Sequence, residues 1–152
     1  MNEHFKITGR YRTIVKRANG KVEVSEWQNT IHSELKEAVN DAFLVSQNYA
    51  LDNLFSAVET PPASGKDGII MYGASHWYSS NCSTSEPTST STKVTGVFTG
   101  VAATISDIAL GFNHAGTDSD SFAVNFADPT TWNNITLTSD DTLTVEWTIT
   151  VS

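Results

Sequence analysis

Cysteine, charge and long apolar runs are all scarce in this 152-residue chain, and each scarcity excludes a class of protein. The single cysteine, Cys82, cannot form an internal disulfide and supplies too few thiolates for a zinc cluster. No apolar run approaches the roughly 18–20 residues needed to span a bilayer. The first residues lack the apolar core of a secretory signal. We therefore expect a chain that is made in a cytoplasm and has no membrane partner.

The shortage of charge also bears on fold class. Charged residues make up 17% of the chain and hydrophobic residues 39%, while Ser and Thr are abundant. Thr favours strands, whereas Lys and Glu favour helices. The length suits one domain with its own core. The composition therefore predicts a mainly β, single domain over residues 1–152.

The net charge of −8 is unevenly distributed. Residues 1–40 carry seven bases and five acids, whereas residues 41–152 carry two bases and twelve acids. The acidic total and the short basic stretch argue against nucleic-acid binding. The asymmetry is either ordinary surface variation or head-to-tail complementarity. In the second case the basic N-terminal ribbon of one copy contacts the acidic surface of a neighbour.

The strongest pattern in the chain is the alternation of its last ten residues. One parity carries Leu143, Val145, Trp147, Ile149 and Val151, and the other carries Thr and Glu146. Period-two alternation predicts a half-buried strand with a Thr-rich outer face. Trp147 should be core.

Residues 5–27 are predicted to form a β-hairpin. The pair Asn19 and Gly20 suits a tight turn that needs positive φ. The outward parity of the first strand is basic, so we expect acidic partners nearby. These bases form a candidate interface: Lys6, Arg10, Arg12 and Lys16.

Residues 31–46 are predicted to form one amphipathic helix. Ile31, Leu35, Val39 and Phe43 belong to a single apolar stripe at helical spacing. Such a helix would pack over the open end or face of a sheet.

Further strands are expected in the remainder of the chain, at 54–58, 69–72, 93–101, 104–112 and 121–127. Residues 79–92 are poor in apolar side chains and are predicted to be a long exposed loop. Residues 114–120 are predicted to be a hairpin loop. Short strands with regularly spaced turn signals favour an antiparallel β-sandwich or jelly roll.

Candidate chemistry is sparse. None of the histidines, His4, His32, His76 and His114, has metal-ligand spacing. Cys82 has no evident His partner for nucleophilic catalysis. The pairs Asp118/Asp120 and Asp140/Asp141 could bind calcium, but turns explain them more simply. We expect no enzymatic activity and no cofactor.

An aromatic group gives one further candidate site. Trp77, Tyr78 and Trp132 could stack on sugar rings. They could also form an interface or belong to the core. Sequence reasoning favours these two roles over glycan binding.

Three segments together resemble a known group of proteins. They are WQNTIHSELKEAVNDAF after the basic hairpin, ISDIALGFN with SFAVNFADP, and the terminal NITLTSDDTLTVEWTITV. This order is similar to small β-sandwich structural proteins of tailed bacteriophages, and the similarity is tight only in the terminal segment. Proteins of this kind serve as capsid decoration proteins or as tail and fibre-attachment components.

The resemblance implies a non-enzymatic virion protein made in the host cytoplasm. Its partners would be other copies of itself and the major capsid or tail proteins. A decoration role on the capsid surface is favoured because the chain is compact and lacks a fibre-like repeat. A tail, neck or fibre-attachment role is the first alternative, and a carbohydrate- or receptor-binding module is the second.

Overall fold

The fold is built from ten antiparallel strands in the part of the chain that the computed structural model describes, which is residues 6–33, 35, 66–73, 76–79, 82–113 and 124–152. The strands are β1 (Ile7–Lys16), β2 (Val22–Ile31), β3 (Lys66–Gly73), β4 (His76–Ser79), β5 (Cys82–Thr88), β6 (Ser91–Thr99), β7 (Ala103–Asn113), β8 (Val124–Pro129), β9 (Ile135–Leu137) and β10 (Thr142–Val151).

These strands form one continuous, curled sheet. Their order is β4-β3-β7-β8-β2-β1-β10-β6-β5, and β9 pairs with β7 beside β8. The backbone N–H of Ile69 on β3 donates to Cys82 Sγ on β5 at 3.2 Å. This bond joins strands near opposite ends of the order, so the sheet curls around its own core. The mainly β class predicted from composition is confirmed.

β10 is an interior strand of this sheet, between β1 and β6. Leu143, Val145, Trp147 and Ile149 are fully buried, which confirms the predicted inner face. The alternate Thr and Glu residues are half-buried on the outer side. The alternation therefore identified both the strand and its orientation.

The N-terminal hairpin is also confirmed, with one correction to its end. Gly20 has φ +84° in the turn, as the sequence predicted. β2 continues beyond Trp27 to Ile31, which pairs with Ala127 of β8. The helix was expected to begin at Ile31, and that start is wrong. A spacing of four residues fits strand parity as well as a helical face, so Ile31 satisfied both patterns.

Most of the predicted helix, 31–46, lies outside the described residues. Ser33 and Leu35 have helical backbone, but no helix stands among the described elements. Leu35, from the predicted apolar stripe, is fully buried in the core.

The predicted loop at 79–92 is wrong, because β5 and the start of β6 occupy most of it. Ser83 to Thr88 are all exposed, so this edge strand lacks the alternation of buried and exposed residues that marks a strand in a sequence. Its Thr residues favour strand geometry nonetheless. Pro87 is tolerated because β5 is an edge strand whose register shifts between Ser85 and Thr88.

The other strand predictions are confirmed with small shifts in their bounds. Residues 69–72 lie within β3, and 93–101, 104–112 and 121–127 correspond to β6, β7 and β8. The strand expected at 54–58 and the loop expected at 114–120 lie outside the described residues.

An aromatic cluster fills the core beneath β1, β2 and β10. The Tyr11 ring lies 5.3 Å from Trp147, 5.6 Å from Trp27 and 6.2 Å from Trp132, measured between centroids. The Tyr11 hydroxyl donates to the carbonyl of Thr131, and burial raises the pKa of this phenol to about 12. The ring therefore holds the β8–β9 connection against the sheet.

Candidate functional site

The most distinctive surface of the described residues is the side of β2, β1, β10 and β6 that points away from the core, called here the outer face. Paired strands place outward side chains in rows across a sheet. One row runs Val24, Ile14, Thr144 and Val97. Val24 is 57% exposed and Val97 is 48% exposed, so this row presents apolar side chains to solvent at both of its ends, with half-buried Ile14 and Thr144 between them.

The next row is charged. It runs Glu26, Arg12, Glu146 and Thr95. Arg12 Nε lies 3.4 Å from Glu146 Oε2, and Lys93 Nζ of the following row lies 3.3 Å from Glu146 Oε1. One carboxylate is therefore shared by two cations.

The following row runs Gln28, Arg10, Thr148 and Lys93. Arg10 Nη1 pairs with Glu26 Oε1 at 3.2 Å. These contacts confirm that acidic partners lie beside the basic strand. Both members of this pair are well exposed, so it contributes little to stability.

The outer face is basic, although the protein is acidic. Its cations are the four predicted interface residues, Lys6, Arg10, Arg12 and Lys16, together with Lys93. Glu26 and Glu146 are the carboxylates within its rows. Five cations against two carboxylates give this face a charge opposite in sign to the total of −8.

A groove of about 530 Å³ lies over part of this face. It is lined by charged and hydroxyl side chains and by the turn between β5 and β6: Arg10, Arg12, Glu26, Lys93, Glu146, Pro87, Thr88, Thr90, Ser91, Thr148 and Thr150. The lining offers hydrogen bonds and a small excess of positive charge.

Of the three candidate glycan or interface aromatics, Trp132 is the one whose side chain the structure describes. Trp132 is half-buried, packs on Tyr11, and donates its indole N–H to the carbonyl of Ile105 at 3.1 Å. It belongs with the core cluster. Trp77 and Tyr78 lie on β4 opposite Tyr72 and Met71, and the predictions for their side chains lie outside what the structure describes.

Asp140 and Asp141 lie in the turn between β9 and β10. Asp141 is only 5% exposed and accepts hydrogen bonds from the N–H groups of Thr138 and Ala18, at 2.8 and 3.0 Å. Arg17 Nη1 adds a third bond at 3.1 Å. These bonds, that from Thr138 first, lower the pKa of Asp141 to about 2.

The other candidates give no metal centre in the described residues, where no group of three ligating side chains occurs. His32 Nε2 lies 2.6 Å from Asp128 Oδ2. Cys82 accepts the bond from Ile69 already described. His4, His114, Asp118 and Asp120, with the side chain of His76, lie outside the described part.

Sequence reasoning missed several members of the outer face. Val24, Val97, Lys93 and Glu146 join the basic strand only because the register aligns their rows. The parity of β10 had already placed Glu146 outward. No sequence signal indicated that β6 lies beside β10.

Comparisons with protein-family models, with curated proteins and with solved structures found no match to this chain. The described residues include no helix that is long and apolar enough to cross a membrane.

Proposed function

We propose that this chain is a non-enzymatic structural protein of a tailed-phage virion that assembles on the capsid surface through repeated protein–protein contacts. The observation that carries the proposal is the outer face, where exposed valines lie beside charged rows. Contiguous exposed apolar side chains on a sheet indicate a contact surface. As part of this function, we propose that the strands form the two-layer sandwich that the phage resemblance implies.

The basic outer face suits a particle made of many copies. The whole chain carries −8 although the outer face is basic, so the outer face can bind a second copy while the acidic remainder binds another virion protein. Repetition of one contact around a symmetric shell would multiply a weak interaction.

Immunogold electron microscopy of intact virions from the source culture tests this placement. Antibody against the chain should label the capsid surface. Label at the tail, neck or fibre attachment would replace the decoration role with the first alternative. Virions without label, together with absence of the chain from their mass spectrum, would overturn the virion proposal.

The hydroxyl-lined groove favours one second candidate, a carbohydrate- or receptor-binding module. Thr88, Thr90, Ser91, Thr148 and Thr150 supply hydrogen-bonding groups there. A glycan array provides the test, with Thr148→Val as the variant. Binding that the variant loses would support this candidate, and an array without hits would exclude it.

A further inference from the structure

We propose that two copies of this chain associate through their outer faces about a two-fold axis that runs between β1 and β10, parallel to those strands. The inference specifies the self-association in the proposed function and does not need the virion placement. It follows from the register of four strands.

Such an axis exchanges strands but keeps each row in place. β1 of one copy faces β10 of the other, and β2 faces β6. Because each row is a set of registered partners, every row meets its own equivalent. An isologous contact requires this kind of self-complementary pattern.

The apolar row matches itself under this operation. Val24 of one copy faces Val97 of the other, and the reverse contact forms at the same time. The large exposed hydrophobic residues among those described are Val22, Val24 and Val97, and all three lie on this face. The association would remove each of them from water.

The charged rows also match themselves. Arg12 of one copy faces Glu146 of the other, twice in the pair. Lys93 faces Gln28, Arg10 faces Thr148, and Lys16 faces Thr142. No registered cation of one copy falls on a cation of the other, so two basic faces can meet without opposing their charges directly.

The area of the outer face sets an upper limit on this interface, because the outer side of a sheet that curls around its own core is convex. Four strands about 4.8 Å apart and roughly 30 Å long present at most about 600 Å² per copy. Two copies would bury at most roughly 1,200 Å², the lower end of the range for specific interfaces.

A second copy explains the face better than a purely acidic partner does. An acidic surface would attract the arginines but would oppose Glu26 and Glu146. It would also leave Val24 and Val97 without apolar partners.

Charge reversal in separate chains tests the pairing. Arg12→Glu and Glu146→Arg each place like charges opposite each other in the homodimer. Either variant alone should dimerise roughly ten-fold or more weakly, because close like charges oppose association. An equimolar mixture should recover the wild-type dimer affinity. In the mixed dimer the introduced glutamate of one chain faces the introduced arginine of the other, and the unchanged Arg12 faces the unchanged Glu146.

The dimer constant is measured by sedimentation velocity from about 1 to 500 µM, with Asn134→Arg as an exposed control outside the outer face. The control should match wild type. A wild-type chain that stays monomeric throughout, or a mixture that gains nothing over the single variants, overturns the proposal.

Disulfide trapping gives a second measurement that does not depend on tolerance of charge reversal. Val24→Cys and Val97→Cys are combined in a Cys82→Ser chain. Within one chain these positions are about 14 Å apart, too far for a disulfide. Oxidation should give a covalent dimer from the double variant and far less from either single variant. Equal trapping by Val24→Cys alone would overturn the proposed axis.

The virion test and these tests fail separately. Unlabelled virions with an intact dimer would remove the phage placement and keep the interface. Labelled capsids, with a chain that is monomeric in solution and gives no trapped dimer, would keep the phage placement and remove the interface.

Discussion

At the scale of single residues, Trp147 is the largest fully buried side chain among the described residues. It is fully buried, pairs with Tyr11 on one side and Val94 on the other, and packs against the Tyr11 ring. Its indole N–H has no hydrogen-bond partner. The residue therefore acts through volume and ring contacts, not through its polar group.

We expect Trp147→Ala to reduce the free energy of unfolding by about 3–5 kcal/mol, since it leaves a large cavity. Trp147→Phe should lose less than half as much, because it keeps an aromatic ring and removes an unpaired N–H. Urea denaturation followed by circular dichroism measures both. The exposed substitution Asn134→Ala, outside the outer face, serves as a control and should change stability by less than about 0.5 kcal/mol. Equal losses for Ala and Phe at position 147 would contradict this assignment.

At the scale of elements, Arg17 and Asp141 join two turns. Arg17 follows β1, and its guanidinium bonds Glu23, Asp141 and the carbonyl of Thr136. Asp141 precedes β10 and accepts from Ala18 in the opposite turn. The β1–β2 and β9–β10 connections are thereby held together at one end of the sheet.

This contact predicts a loss of stability in acid. The folded-state pKa of Asp141 is about 2, below its ordinary value of 3.8. Its stabilisation is therefore complete above about pH 4 and is lost as the pH falls toward 2. Asp141→Asn should be less stable than wild type at pH 7, and the difference should shrink between pH 4 and pH 2.

Urea midpoints at pH 7, 4 and 2 measure this change. Asp140→Asn is the matched control, because Asp140 is an exposed neighbour in the same turn. A difference between wild type and Asp141→Asn that stays constant over the three pH values would refute the role of its ionised carboxylate.

Elements were predictable from sequence where one face is buried and the other is not. β10 satisfies that condition, since Leu143 to Ile149 alternate between core and outer side. β5 does not, because its residues from Ser83 onward are exposed on both sides. An edge strand of hydroxyl residues has the composition of a loop, and only pairing with β6 distinguishes the two.

At the scale of the whole molecule, local stability should decrease from the interior strand β10 to the edge strand β5. β10 has neighbours on both sides, whereas β5 pairs with β6 at the edge and carries a register shift. We expect hydrogen exchange at the amides of Val145 and Trp147 to require global unfolding. Amides from Ser83 to Ser85 should exchange much faster. Exchange mass spectrometry with peptides from each strand checks this order, and protection of β5 equal to that of β10 would contradict it.

Only part of the outer face could be predicted from the sequence, because the rest depends on how distant strands pair. The basic parity of β1 follows from the sequence, and Arg10 and Arg12 were found that way. Their assembly with Val97 and Lys93 depends on strand order and register, which are set by pairing between distant segments. Trp132 packs against the core, the fate that the sequence favoured over sugar stacking, and its indole N–H donates to the carbonyl of Ile105.

β2 takes part in both halves of the curled sheet. Its residues from Val22 to Gln28 pair with β1, and those from Asn29 to Ile31 pair with β8. One uninterrupted backbone segment therefore belongs to two neighbouring sets of strands, and loss of this segment would remove an edge partner from both sets at once. We expect the shared strand to couple the two sets, so that thermal unfolding followed by circular dichroism shows a single transition.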